Sequence, residues 1–214
     1  MAGQVYLDHA ATTYVIPEVY AEMEAAFALA YGNPSAQYGL GRQAKKILDI
    51  ARARVAEALG ASDREIFFTA GGTEADNWAI KGIAHANRKK GRHIVTSSIE
   101  HKAVLECCHF LENQGWEISY LPVDALGRLD PQQVKDAIRS DTVLVSIIAA
   151  NNEMGAIQPI AAIGQICKEN GVYFHTDAVQ AFGSEQIDVD AWAIDLLSLS
   201  AHKIYGPKGV GALY

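Results

Sequence analysis

Cysteine is scarce in this sequence: Cys107, Cys108 and Cys167 are the only three among 214 residues. They form no CxxC pair, so neither a disulfide framework nor a thiolate metal site is encoded, and a reducing, cytoplasmic setting is the expectation. Long apolar runs are missing too. None reaches the ~18 residues of a membrane-spanning helix. The start, Met1-Ala-Gly-Gln-Val-Tyr6, has neither the charged nor the apolar part of a secretory signal. Positive charge is in deficit, 18 Lys and Arg against 25 Asp and Glu, a net of −7. That balance argues against nucleic acid or an anionic membrane as the main partner, while leaving room for a local basic pocket.

What is present is globular. Half of the residues are hydrophobic and a fifth are charged, enough for one large domain with a sizeable core. Residues 1–16 are small and polar and read as an N-terminal arm; residues 17–214 read as the large domain. Helices are expected from Pro17 to about Ala30 and over an amphipathic stretch ending at Gly60. From there strand and helix alternate. Strands are expected at Glu65 to Thr69, His93 to Ser97, Trp116 to Leu121, Thr142 to Ala149, Val172 to Thr176, Asp195 to Leu199 and Val210 to Tyr214. The almost wholly apolar run from Thr142 to Ala149 reads as the central strand. Helices are expected from Gly71-Gly-Thr73 to Gly91, Lys102 to Asn113, Asp130-Pro131 to Ile138, and Pro159 to Asn170. This alternation predicts an α/β fold, a doubly wound, mostly parallel seven-stranded sheet. The last two strands are joined too closely for a crossover helix, so the seventh is expected to run antiparallel. Because the sequence stops inside an apolar strand, it is expected to be a piece of a longer protein.

The strand ends carry the chemistry. Ser200-Ala-His-Lys203 follows the sixth strand, and ligands of open α/β sheets bind at the carboxyl ends of strands. A partly desolvated lysine there can lose its proton and attack a carbonyl carbon to form a Schiff base. Ala70-Gly-Gly-Thr73 opens a helix, and its N–H groups, with the Thr73 hydroxyl, suit an anion. Ser200 and His202 can add donors from another strand end. Asp177 can hold a proton on a heteroaromatic nitrogen, or equally cap the turn that follows it. Gln180 can donate to a ring oxygen. His101 can stack on a flat cofactor and shuttle a proton, or simply cap a helix. The amide pair Asn151-Asn152 follows a buried strand. His175, Asp177 and His202 could be the start of a metal site, but no further ligand at a diagnostic spacing supports one, so no metal is expected. An anion cradle, a lysine, an aspartate and a stacking histidine at one sheet edge are what pyridoxal 5′-phosphate needs.

Several of these stretches together resemble one family. They are Tyr6-Leu-Asp-His-Ala-Ala-Thr-Thr13, Gly32-Asn-Pro-Ser35, Phe68-Thr-Ala-Gly-Gly-Thr-Glu-Ala-Asp-Asn77, Glu100-His101, Asn151-Asn-Glu-Met-Gly155, His175-Thr-Asp-Ala-Val-Gln180 and Ser200-Ala-His-Lys203. In this order the chain resembles the large domain of a cysteine desulfurase of the NifS/IscS kind. Those enzymes belong to the class V aminotransferase group of fold-type I pyridoxal-phosphate enzymes. The resemblance implies that Lys203 carries the cofactor as a Schiff base and that Asp177 pairs with the ring nitrogen. It implies that His101 stacks on the ring and that Gln180 bonds its phenolic oxygen. Gly72, Thr73, Ser200 and His202 would hold the phosphate, and Asn152 would lie near the cofactor and the substrate carboxylate. Lys203 and His101 would be the catalytic residues. The implied reaction takes L-cysteine to L-alanine and leaves sulfur on an enzyme cysteine as a persulfide. A homodimer is implied, as is a sulfur-acceptor protein, either an iron–sulfur scaffold or a thiolation factor. The family's nucleophilic cysteine loop, its substrate-gripping arginine and its small domain all lie beyond Lys203, outside this sequence. Cys107, Cys108 and Cys167 do not match the nucleophile. A selenocysteine lyase, an aminotransferase or a non-catalytic fragment would share much of the same pattern.

Overall fold

Residues 5–214 are described by a computed structural model, and its elements begin and end where turn residues interrupt the apolar runs. Helix α1 (Pro17–Leu29) starts on proline, whose fixed φ and missing N–H suit a first turn. Helix α2 (Gly39–Leu59) stops at Gly60, which sits in the left-handed region at φ 70° and sends its N–H back to Ala56 and Glu57. Then follow β1 (Phe67–Thr69), α3 (Gly72–Asn87), β2 (His93–Ser97), α4 (Lys102–Glu112) and β3 (Glu117–Leu121). The chain continues through α5 (Pro131–Ala137), β4 (Thr142–Ser146), α6 (Ile160–Asn170), β5 (Tyr173–Asp177), β6 (Leu196–Ser200) and β7 (Gly211–Leu213).

The strands form one sheet in the order β1-β7-β6-β5-β4-β2-β3. Neighbours from β6 to β3 are parallel, and β7 runs antiparallel to both β6 and β1. The expected mixed topology is therefore the observed one, with four corrections of detail. The middle place belongs to β5, with β4 beside it; an all-apolar run reports burial on both faces, which several interior strands share. Ile147 to Ala149 leave the regular strand, although the Ile147 and Ala149 N–H groups still bond the His175 and Asp177 carbonyls at 3.1 and 2.8 Å. Asp177 is the last residue of β5, where the sequence had suggested the position just past it. At the other end of the sheet, β1 begins late because a turn at Asp63–Glu65, closed by a Ser62/Glu65 capping box, takes its first residues.

Alternation along the strands sorts the core into two layers. Ile94 and Leu144 pack with Ile80, Val104 and Leu111 of α3 and α4. Their neighbours Val95 and Val145 pack on the opposite face with Ile163 and Cys167 of α6. Each such fully buried aliphatic side chain contributes roughly 1.5–3 kcal/mol. Helices on both faces leave only the strand ends open, and the parallel strands all deliver their carboxyl ends to one edge. Among the described residues no helix is long and apolar enough to cross a membrane.

Candidate active site

At that edge a cavity of about 310 Å³ is lined by Ala10, Ala11, Gly72, Thr73, Asp76, His101, Ile148, Asn152, Asp177, Val179, Gln180, Ser200, His202 and Lys203. Every residue named from the sequence as a cofactor contact is in this lining. A larger cleft, about 620 Å³, opens against Asp190, Asp195 and Tyr214, and its lining holds neither histidine nor serine.

Lys203 ends a tight turn, Ala201–Lys203, that β6 runs straight into. Its amine donates to the Ala10 carbonyl and, at 3.1 Å, to that of Ala11. Burial pushes its pKa below the ordinary lysine value, and the carboxylates of Asp177 and Asp8 pull it back in part. Asp177 is buried at the end of β5, and its Oδ1 accepts the Val179 N–H at 2.9 Å. The cap and the pocket carboxylate are thus the same residue: one oxygen holds the turn and the other remains for the cavity. Burial raises the Asp177 pKa, while the Val179 N–H, His101 and Lys203 oppose the rise.

His101 caps a helix and also lines the cavity. It is the N-cap of α4, its Nδ1 accepting the Ala103 N–H at 3.2 Å, so the neutral ring carries its proton on Nε2. The amide pair divides its labour. Asn151 pins the loop, donating to the Ile99 carbonyl at 2.9 Å and accepting from the Glu153 and Met154 N–H groups at 2.9 and 2.8 Å. Asn152 is left to line the cavity.

The cradle is built from two strand ends held apart by β7. Gly72 begins α3, which has no side-chain cap at its start, so its first N–H groups are left to a ligand. A Cβ on Gly72 would come within 2.6 Å of the Val179 side chain. Ser200 approaches from β6, where it is registered against Gly211 of β7, while Thr69 of β1 is registered against the same glycine. His202 bonds the Thr12 hydroxyl through Nδ1 at 3.0 Å; burial, then Lys203 and Lys208, lower its pKa, so it is a neutral donor.

The N-terminal arm closes the cavity from above, which no local sequence signal disclosed. The Thr13 N–H and hydroxyl both donate to the His202 carbonyl, at 2.9 and 3.0 Å, and the Tyr205 N–H donates to the Thr13 hydroxyl at 2.8 Å. Gln180 donates to the Ala10 carbonyl at 2.8 Å. Sequence reasoning also missed two buried carboxyls, Asp76 in the cavity wall and Glu100 outside the lining. His175 does not line the cavity. It is fully buried between the hydroxyls of Ser146, 2.8 Å from Nδ1, and Ser198, 3.0 Å from Nε2, and burial pushes its pKa down to about 3. All three cysteines are buried, and desolvation raises their pKa values, Cys107 to about 11, Cys167 to about 12 and Cys108 higher still.

The model of the family described as "Aminotransferase class-V" matches residues 5–214. The chain belongs to the class-V aminotransferase family. This class-V chain is 57% identical to a cysteine desulfurase IscS of Clostridium botulinum over its whole length, which is 54% of that relative. It is 58% identical to a cysteine desulfurase IscS of Methanosarcina thermophila over 98% of this chain and 52% of the relative. Among solved structures, one described as SspA in complex with cysteine superposes with a TM-score of 0.96 at 46% identity, over 99% of this chain and 61% of the other. A NifS-like protein gives a TM-score of 0.95 at 42% identity, over 99% and 58%. The chain spans about half the length of the curated relatives it matches. The class-V family works with pyridoxal 5′-phosphate, and the cavity fits that group. It offers an uncapped helix start for an anion, a buried carboxylate for a ring cation and a desolvated amine for an aldehyde.

Proposed function

We propose that this chain is the cofactor-binding portion of a cytoplasmic cysteine desulfurase that takes L-cysteine to L-alanine. The observation that carries the reading is the convergence of Lys203, Asp177 and His101 with the Gly72-Thr73 helix start in one cavity. Pyridoxal phosphate, when bound, supplies a cationic ring that stores the electron pair freed at the substrate Cα. Lys203 would hold the cofactor through Nζ and, once the substrate amine has displaced it, would take the Cα proton at the same atom, a task helped by its lowered pKa. Asp177 orients the ring and holds the proton on its nitrogen through a charge-assisted hydrogen bond. His101 covers one ring face, with Nε2 free to pass on a proton because Nδ1 is taken by the helix. Gln180 donates to the ring oxygen. Gly72, Thr73, Ser200 and His202 bind the phosphate with neutral donors and the α3 dipole, and Asn152 serves the substrate carboxylate.

Sulfur then passes to an enzyme thiolate. The thiolate sulfur bonds the substrate sulfur, the C–S bond breaks with its electron pair left on the alanine carbon, and a persulfide remains. None of the three cysteines here suits that step, because each is buried and holds its proton well above neutral pH. The nucleophile therefore belongs outside residues 1–214. So do the second subunit of a homodimer and the iron–sulfur scaffold or thiolation factor that receives the sulfur.

Borohydride reduction of the chain loaded with pyridoxal phosphate, followed by peptide mass spectrometry, tests the reading. The adduct is expected on Lys203 and is expected to vanish in Lys203→Ala, whose far-ultraviolet circular dichroism stays that of the wild type. An adduct on Lys81 or Lys208 instead would refute the assignment.

A further inference from the structure

One carboxyl in the cavity wall has no part in the chemistry above. Asp76, in the second turn of α3, is 1% exposed, lines the cavity with Asp177, and its Oδ1 has no hydrogen-bond partner. Nε2 of His175 is 3.7 Å away, beyond hydrogen-bond reach, and is itself 3.0 Å from the Ser198 hydroxyl. A buried polar atom left unpaired calls for a reason.

Three buried carboxyls influence one another at the cavity, from three different elements: Asp76 from α3 and Asp177 from β5 in its wall, and Glu100 from the turn after β2. In dry surroundings neighbouring like charges cannot all be ionised. What faces each of them decides which one is. Asp177 accepts the Val179 N–H, and Lys203 and His101 both favour its charged form. Glu100 accepts the Ser97 hydroxyl at 2.6 Å and the Ile148 N–H at 2.9 Å, but its Oε2 is unpaired. Asp76 faces Asp177 and Glu100, which both oppose its charge, with only the Ser198 hydroxyl favouring it. The other titratable groups beside it, the His175 ring of β5 and the Cys107 thiol of α4, are both kept neutral by burial. Burial and the Asp177 charge together raise the Asp76 pKa well above the ordinary carboxylate value.

We propose that Asp76 is a positioning residue of the cofactor site, a neutral acid that leaves the negative charge of the site on Asp177. The proposal rests on Asp177 being the ring's partner. An ionised Asp76 would make charge on Asp177 costlier and loosen its hold on the ring proton. Its orphaned oxygen is the mark of a group kept where ionisation is disfavoured.

Two measurements test this. Infrared spectra of the cofactor-free chain at neutral pH are expected to contain a protonated-carboxyl stretch that Asp76→Asn removes. Isotopic labelling of the aspartate carboxyls in the unaltered chain shifts the same band and needs no substitution. In the chain loaded with pyridoxal phosphate, raising the pH is expected to give one more step in the cofactor's absorbance than the Asp76→Asn variant gives, as Asp76 loses its proton. In Asp177→Asn the Asp76 band is expected to disappear at lower pH, because the opposing charge is gone. An unchanged band in Asp76→Asn, or identical absorbance titrations in the two proteins, overturns the proposal. Should the chain bind no pyridoxal phosphate, the cofactor reading fails by itself, and the infrared bands still decide whether Asp76 is neutral.

Discussion

Glu100 shows what burial does to a single ionisable group. Its pKa is pushed up to about 8 from the ordinary 4.5, chiefly by desolvation, with the Ser97 and Ile148 hydrogen bonds opposing. Between those two values the folded chain keeps a proton that the unfolded chain gives up. Stability therefore falls as the pH rises through that window. His175 acts in the opposite sense below its ordinary 6.5, since its folded pKa is near 3. Between about pH 6.5 and 8 that opposing effect is absent, and comparison with Glu100→Gln separates Glu100 from Asp76, whose raised pKa acts in the same sense. Over that range urea denaturation should find the wild type losing on the order of 2 kcal/mol more than Glu100→Gln, which keeps the acceptor for the Ile148 N–H. Parallel stability curves for the two proteins would show that Glu100 ionises normally. At this scale the sequence disclosed lysine, aspartate and histidine, because they follow apolar strands and the edge of an α/β sheet collects such residues. Asp76 escaped notice because Thr73-Glu-Ala-Asp-Asn77 reads as the polar face of a helix start, and only the packing of α3 on β5 and β6 reveals which side it turns to.

At the scale of elements, β7 is the spacer of the anion cradle. Its Gly211 is paired with Thr69 on one side and Ser200 on the other. A Cβ there would meet the Leu199 carbonyl at 2.6 Å and Gly71 Cα at 2.7 Å. Gly211→Ala must therefore push the start of α3 away from Ser200. The expected result is about tenfold weaker binding of pyridoxal phosphate, equivalent to about 1.4 kcal/mol, read by absorbance titration. Unaltered affinity would mean that the cradle adapts. The antiparallel course of β7 was legible, since Gly206-Pro-Lys-Gly209 is too short for a crossover. Its insertion between β1 and β6 was not, because pairing of residues 146 apart along the chain, Phe67 with Leu213, leaves no local trace. Boundaries were readable where Pro17, Gly60, Pro131 and Gly171 punctuate the chain, and drifted elsewhere, α3 ending at Asn87 where Gly91 was expected and β4 at Ser146 where Ala149 was.

Among the described residues, one helix is left largely uncovered. Helix α1 buries none of its residues; Phe27 is 77% and Tyr31 72% exposed, with Tyr20, Leu29 and Tyr38 exposed nearby. Apolar surface of that kind favours association. Sedimentation velocity of the chain is expected to show concentration-dependent growth that a Phe27→Ser, Tyr31→Ser pair reduces. Equal behaviour of the two proteins would locate the sticky surface elsewhere.

The bonds from Thr13 to His202 and from Ala10 to Lys203 join residues separated by about 190 positions. A ribosome adding ~5–20 residues per second needs roughly 10–40 s to cover that interval. The arm thus leaves the exit tunnel before the sheet and waits, unpartnered, while the sheet is translated. No vitamin B6 derivative can find its full set of contacts until translation has passed Lys203, so loading has to wait for the sheet and cannot begin on the arm alone.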